Sequence, residues 1–196
     1  MLSAVYQQSS QHSALSTSNS PDPENRLLSR FPRRRLGFEA MRDSMLAVSG
    51  RLDRKQYGRP VDLLKEPSPP RRTIYGFVDR NNLPGLYRIF DFANPDASTG
   101  QRPTTTVPQQ ALFGMNSPFV IAQAEALAAH PDVASQPTDE QRIAALSHRA
   151  LGREPEAEET ALALRYLQSA APNDTLSPLE RYAQVLLLSN EFWFVD

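Results

Sequence analysis

Arginines and carboxylates crowd one stretch of this chain. Between positions 71 and 116 lie Arg71, Arg72, Asp79, Arg80, Asp91, Asp96 and Arg102, then the run Thr104-Thr105-Thr106-Val107-Pro108-Gln109-Gln110 and, further on, Asn116. Asp79, Asp91 and Asp96 suggest one kind of chemistry. Two carboxyl groups held about 5–10 Å apart across an open cleft would form the acid–base pair of a glycoside hydrolase. The ordinary use of the same residues is pairing with Arg72, Arg80 or Arg88, since a charge taken out of water needs a partner. Arg71, Arg72, Asp79, Arg80, Asp91 and Arg102 are too many charges to bury unpaired, so at least one Arg–Asp bridge is expected among them. Gln109 and Gln110 stand at the first turn of a helix opened by Pro108, where free backbone N–H groups point. With Thr105 they make either an internal polar clamp or a site for an anion or a sugar hydroxyl.

Other chemistry is excluded by what is missing. The 196 residues contain no cysteine, which removes disulfides, thiolate metal sites, a Cys nucleophile and covalent c-type haem. His12, His130 and His148 have no His or carboxylate partner at metal-motif spacing, so solvent or helix-cap roles are expected and no metal site. Neither G-x-S-x-G, a phosphate-binding loop nor G-x-G-x-x-G occurs. No apolar stretch is long enough to span a bilayer. The first 20 residues are rich in Ser and Gln and lack the basic start and apolar segment of a secretory signal. No cofactor is implied, and catalytic residues remain unassigned.

Net charge is −1, but its distribution is uneven. Residues 1–105 hold 16 basic and 10 acidic side chains; residues 106–196 hold 5 and 12. The basic side chains are nearly all arginine, suited to forked pairing with carboxylate, sulfate or phosphate. They serve either the acidic half of the same chain or an anionic ligand such as a polyanionic glycan. Arg33-Arg34-Arg35 lacks the interleaved aromatics of a nucleic-acid surface, and no nucleic-acid partner is expected.

The elements that must position these groups read as mainly α: a helical bundle with long irregular Pro-rich connections and at most a short β-strand or hairpin. Three regions are expected, namely a polar N-terminal segment (1–21), a basic half with helices and the crowded loop (22–129), and an acidic three-helix module (130–196). Asp22-Pro23-Glu24 opens a short helix bearing Leu27, Leu28 and Phe31. A second runs from about Arg34 to Ser49 through Leu36, Ala40, Met41, Met45 and Val48, stopped by Gly50. Thr73 to Val78 is the best strand candidate. Ser117 is expected to cap a helix with Pro118 at its first position. Thr138 opens a capping box before a helix ending at Gly152, Pro155 opens another, and Ser177 caps a third. The apolar end, Glu191 to Val195, reads as a tail docking on the core.

At the residue level one family resemblance stands out. Arg71 to Val120 (RRTIYGFVDRNNLPGLYRIFDFANPDASTGQRPTTTVPQQALFGMNSPFV) resembles the signature region of domain-of-unknown-function family 1553, a planctomycete-specific domain. Asp22 to Asp53 is similar to the segment before that signature, and Leu186 to Asp196 to the family's ending. The resemblance implies a larger exported protein, often with a cytochrome-c-like domain, of which this chain would be the C-terminal part, with periplasmic or cell-surface relatives. It supplies no reaction. Two functions follow as expectations. One is a non-catalytic binding or scaffolding module linked to polysaccharide handling or surface redox chemistry, its partner a glycan or the missing N-terminal domains. The other is a fragment of a glycan-active hydrolase using Asp79, Asp91 or Asp96. Truncation would also leave Leu2, Val5, Tyr6, Leu27, Leu28 and Phe31 as an exposed apolar patch.

Overall fold

Phe38, Met41, Met45 and Leu46 recur at helical spacing, and the helix they form, α1 (Phe38–Val48), buries all four. In the computed structural model of the chain, which describes residues 25–27, 33–169 and 176–195, two units separate. The smaller spans Met1–Arg35 and Phe194–Asp196. Its described part is an antiparallel pair of two-residue strands, β1 (Arg34–Arg35) and β2 (Phe194–Val195), with Arg34 opposite Val195 and the Arg33 guanidinium 5.0 Å above the Phe194 ring. Asn25 to Leu27 form a turn rather than part of the expected first helix, and Leu27 is exposed. The remainder of that helix, the segment 1–21 and the other residues of the expected apolar patch lie outside the described residues.

The larger unit, Leu36–Trp193, is built on helices, joined over residues 49–84 and 90–107 by long irregular connections. After α1 come α2 (Gly85–Ile89), α3 (Pro108–Asn116), α4 (Pro118–Ala128), α5 (Pro131–Ala134), α6 (Asp139–Leu151), α7 (Ala157–Ser169), α8 (Pro178–Leu188) and α9 (Asn190–Trp193). The core joins α1 to Phe119, Val120, Ala124 and Leu127 of α4, Leu146 of α6, and Ala183 and Leu187 of α8. Phe192 is buried and the Trp193 indole N–H donates to the Leu187 carbonyl at 2.7 Å, so the end of the unit docks on the core. This is the mainly α fold with irregular connections that the sequence predicts.

Helix ends follow their side chains closely in the acidic half. Thr138 Oγ1 accepts from the Gln141 N–H, and Ser177 forms a complete capping box with Glu180. Gly152 ends α6 at φ 74°, a left-handed conformation that costs glycine nothing. His130 Nδ1 accepts the Asp132 N–H, so this histidine caps α5.

Three local expectations need correction. α1 begins at Phe38, because Arg34 and Arg35 are taken up by the strand pair, and Ala40 lies on its solvent side. Thr73–Tyr75 is a 3-10 turn rather than a strand. Among the described residues the backbone neighbour of that segment is Val61, which donates to the Tyr75 carbonyl and accepts from Phe77, and Asp43 captures both the N–H and the hydroxyl of Thr73. Ser117 makes no capping bond, although Pro118 occupies the first position as expected.

Candidate functional site

α1 carries a charged pair at the edge of its apolar face, and that pair holds the signature loop. Arg42 is 2% exposed. Its guanidinium donates to the Arg71 carbonyl (2.9 Å), Thr73 Oγ1 (3.2 Å), Ser68 Oγ (3.0 Å) and the Pro69 carbonyl (2.6 Å), and lies 4.9 Å over the Phe119 ring. Burial pulls the Arg42 guanidinium below its ordinary pKa, with Asp43 and Tyr87 opposing the shift. Next to it, Asp43 Oδ1 accepts from the Thr73 N–H (2.7 Å) and hydroxyl (2.6 Å), while Oδ2 faces Arg72 at 3.4 Å. Sequence reasoning missed both residues. A signal existed: position 42 is one turn from Phe38 and three residues before Met45, so a cation there falls on the buried face and needs partners.

A second clamp holds the far end of the loop. Asp91, at φ 58°, accepts from the Thr105 N–H (2.8 Å) and hydroxyl (2.7 Å). The buried Gln110 amide donates to the Ile89 and Thr105 carbonyls. Of the two uses open to this polar run, these bonds are those of an internal clamp. Arg102 then reaches back to Glu39 of α1 at 2.7 Å and stacks 4.5 Å over Phe92.

Between these clamps the surface opens into two clefts of about 520 and 560 Å³ that share Ala40, Asp43 and Arg72. The first is lined by Arg54, Lys55, Gln56, Arg72 and Tyr75, with Asp43 as its one carboxylate among the described residues. The second is lined by Glu39, Arg72, Arg102, Tyr87, Phe92 and Ile74. Arg54 and Lys55 are exposed, and their side chains have no hydrogen-bond or ion-pair partner among the described residues. Tyr87 closes the floor of the second cleft; burial pushes its phenol up, with Arg42 acting against the shift.

The predicted residues divide into groups. Arg72 and Arg102 meet in the double cleft, while Asp91, Thr105 and Gln110 meet in the second clamp. Arg71 lies outside both clefts, stacked 4.3 Å over Tyr75, donating to the Tyr57 carbonyl and 3.9 Å from Asp53. Asp79 accepts the Asn81 N–H, closing a tight turn, and Arg80 pairs with Asp96 at 3.0 Å on the surface. Gln109 and Asn116 are exposed and line neither cleft. The bridges the structure shows for the signature arginines therefore run to Asp53, Asp43, Asp96 and Glu39, carboxylates outside the six-charge set within which a bridge was expected. Among the described residues no group of three or more His, Asp or Glu side chains is placed to hold a metal, and no helix is long and apolar enough to cross a membrane.

Residues 1–167 match the family model described as PSD1, protein of unknown function (DUF1553). The chain belongs to this family. The DUF1553 match takes in both clamps, both clefts and the whole Arg71–Val120 signature. It stops before α8 and α9, so the likeness of Leu186–Asp196 to the family's ending lies outside the matched residues. No curated protein and no solved structure matches the chain.

Proposed function

We propose that this DUF1553 chain is a non-catalytic binding module whose double cleft receives an acidic polysaccharide. The observation that carries the reading is the continuity of the two clefts through Arg72, with unpartnered Arg54 and Lys55 at one end and the Arg102–Phe92 stack at the other. Free cations facing one open groove suit the regularly spaced carboxylate or sulfate groups of such a polymer. The aromatic end offers an apolar face to a sugar ring. A larger exported protein of the kind the resemblance implies would use such a module to hold polysaccharide near its other domains.

The hydrolase reading has less support. Neither cleft is lined by Asp79, Asp91 or Asp96, and each of the three has a bond that holds the local fold. The carboxylates that do line the clefts, Glu39 and Asp43, are each bonded to an arginine and hold the loop against α1.

Calorimetric titration with polygalacturonate, chondroitin sulfate and neutral dextran tests this, alongside an assay for released reducing ends. Binding to one or both acidic polymers is expected, weakening as salt is raised, with no release of ends. Replacing both Arg54 and Lys55 by Ser should weaken it by about tenfold or more, since these exposed side chains steer and pair with the polymer. Equal binding of dextran, indifference to the double substitution, or liberated reducing ends would overturn the proposal.

A further inference from the structure

Tyr87 carries a hydroxyl that the fold does not use. The residue is 2% exposed, its ring set edge-on to Phe38 and Phe92 at centroid distances of 5.4 and 5.1 Å. A buried polar group ordinarily has a partner. The Tyr87 hydroxyl has none among the described residues, yet its oxygen is not sealed in, and the residue lines the second cleft. Thr73, whose hydroxyl shares that lining, is engaged: it donates to Asp43 and accepts from Arg42. Arg42 acts on the Tyr87 phenol through its charge, but its guanidinium N–H groups go to the loop. Burial pushes the phenol up, so it stays an O–H that can both donate and accept.

The group that suits this hydroxyl is uncharged. Arg72 and Arg102 line the same cleft, but Asp43 and Glu39 line it with them, at 3.4 and 2.7 Å from their respective arginines. A carboxylate or sulfate brought in would face those two carboxylates as well as the arginines. A sugar hydroxyl or acetamido group meets no such opposition, and the Tyr87 hydroxyl bonds either. Ile74, 72% exposed, and Val78 add an apolar wall for the body of the sugar ring. At about 560 Å³ the cleft is of small-molecule size. The adjoining first cleft makes the opposite demand, through the unpartnered side chains of Arg54 and Lys55.

We infer that the second cleft holds an uncharged sugar residue through the Tyr87 hydroxyl, so that the polymer bound is an acidic polysaccharide whose charged residues alternate with neutral ones. The inference rests on the polysaccharide reading and narrows it. The two clefts share Ala40, Asp43 and Arg72, so neighbouring units of one chain meet different walls. One wall offers free cations, and the next offers a hydroxyl in near-neutral surroundings. A polymer charged at every residue sets an anion against Glu39 and Asp43 in whichever register it binds.

The test is calorimetric titration of the full chain with hexasaccharides of hyaluronate, in which every second residue is uncharged, and of polygalacturonate, in which none is. The hyaluronate fragment should bind severalfold more tightly, although it carries half as many carboxylates. Tyr87→Phe keeps the ring against Phe38 and Phe92 and removes only the oxygen. It should weaken hyaluronate binding about three- to tenfold and leave polygalacturonate binding unchanged. That loss should be the same at low and high salt, because no charge is removed, whereas replacing Arg54 and Lys55 by Ser reduces the salt dependence itself. Ile74→Ser, on the exposed wall, should weaken hyaluronate binding severalfold, and thermal melts check that both variants keep the fold. Equal or tighter binding of the galacturonate fragment, no binding of the hyaluronate fragment, or unchanged hyaluronate affinity in either variant would overturn the inference. The polysaccharide reading still stands in those cases if acidic polymers bind and the Arg54 and Lys55 substitutions weaken them; it falls with the inference where no acidic polymer binds.

Discussion

Replacing Arg42 by Ala should detach the signature loop from α1. Four acceptors, two of them backbone carbonyls, lose their donor at a position 2% open to solvent. Each acceptor left dry costs about 1–3 kcal/mol, but water admitted by the truncation recovers part of that. Removing one partner from a buried charged network costs about 3–5 kcal/mol, which is the expected loss here. Against a typical domain stability of about 5–15 kcal/mol, the variant stays folded with a weakened loop. Arg42→Met separates the causes, because it keeps an apolar stem against Phe119 while removing every donor. Urea unfolding followed by circular dichroism gives both values, and the Met variant should lose nearly as much as the Ala variant. Hydrogen exchange gives the local reading: the Thr73 and Val61 N–H groups, bonded to Asp43 and Tyr75, should exchange about a hundredfold faster or more. An Arg42→Met protein within about 1 kcal/mol of the parent would refute the reasoning, since packing alone would then hold the loop.

Acid should weaken the Arg153–Glu159–Glu191 junction. Hydrogen bonding to Arg153 holds the Glu159 carboxyl at about 2, below its ordinary value, so its contribution is complete above the unfolded pKa near 4.5 and is lost as pH falls towards 2. The pair is partly exposed and screened, which limits the effect to about 1 kcal/mol, and Glu159→Gln should flatten the acid limb of a stability–pH curve between pH 5 and 2. Ser177→Ala and Thr138→Ala should each lower stability by about 0.5–2 kcal/mol in thermal melts, Ser177 at the upper end because its capping box supplies two bonds. Gly114→Ala places a Cβ against Leu188 Cδ2 and should destabilise by about 1–3 kcal/mol through overpacking; a melting temperature equal to the parent's would show that Leu188 moves aside freely.

The acidic helices were legible because their boundaries are written locally. Thr138, Gly152 and Ser177 act within one turn of their own positions, and the structure uses all three as caps or stops. The signature loop was legible as a dense polar region but not in its pairing. Which carboxylate meets Arg72 is decided by Asp43, 29 residues away, and Arg102 reaches 63 residues back to Glu39. No spacing rule reaches that far. The strand expected over Thr73–Val78 failed for the same reason: β-branched and aromatic composition favours an extended chain, but Asp43 fixes Thr73 into a turn from outside the segment. Arg42 was hidden for a different reason: the expected apolar face, Leu36, Ala40, Met41, Met45 and Val48, shares Met41 and Met45 with the buried face but takes in the exposed Ala40 and passes over Arg42.

The organisation of α1 also sets what the clefts can bind. Its apolar face anchors the core, and Glu39 and Asp43, four residues apart on the neighbouring edge, hold Arg102 and Arg72. Those two arginines are thereby fixed in position but largely neutralised, so the second cleft is close to neutral and the positive character of the surface falls on Arg54 and Lys55. A polymer lying along both clefts would meet a charge-sensitive end and an aromatic end. Its affinity should then depend on salt through only one or two contacts, unlike a uniformly basic surface, whose salt dependence would grow with every arginine lining it.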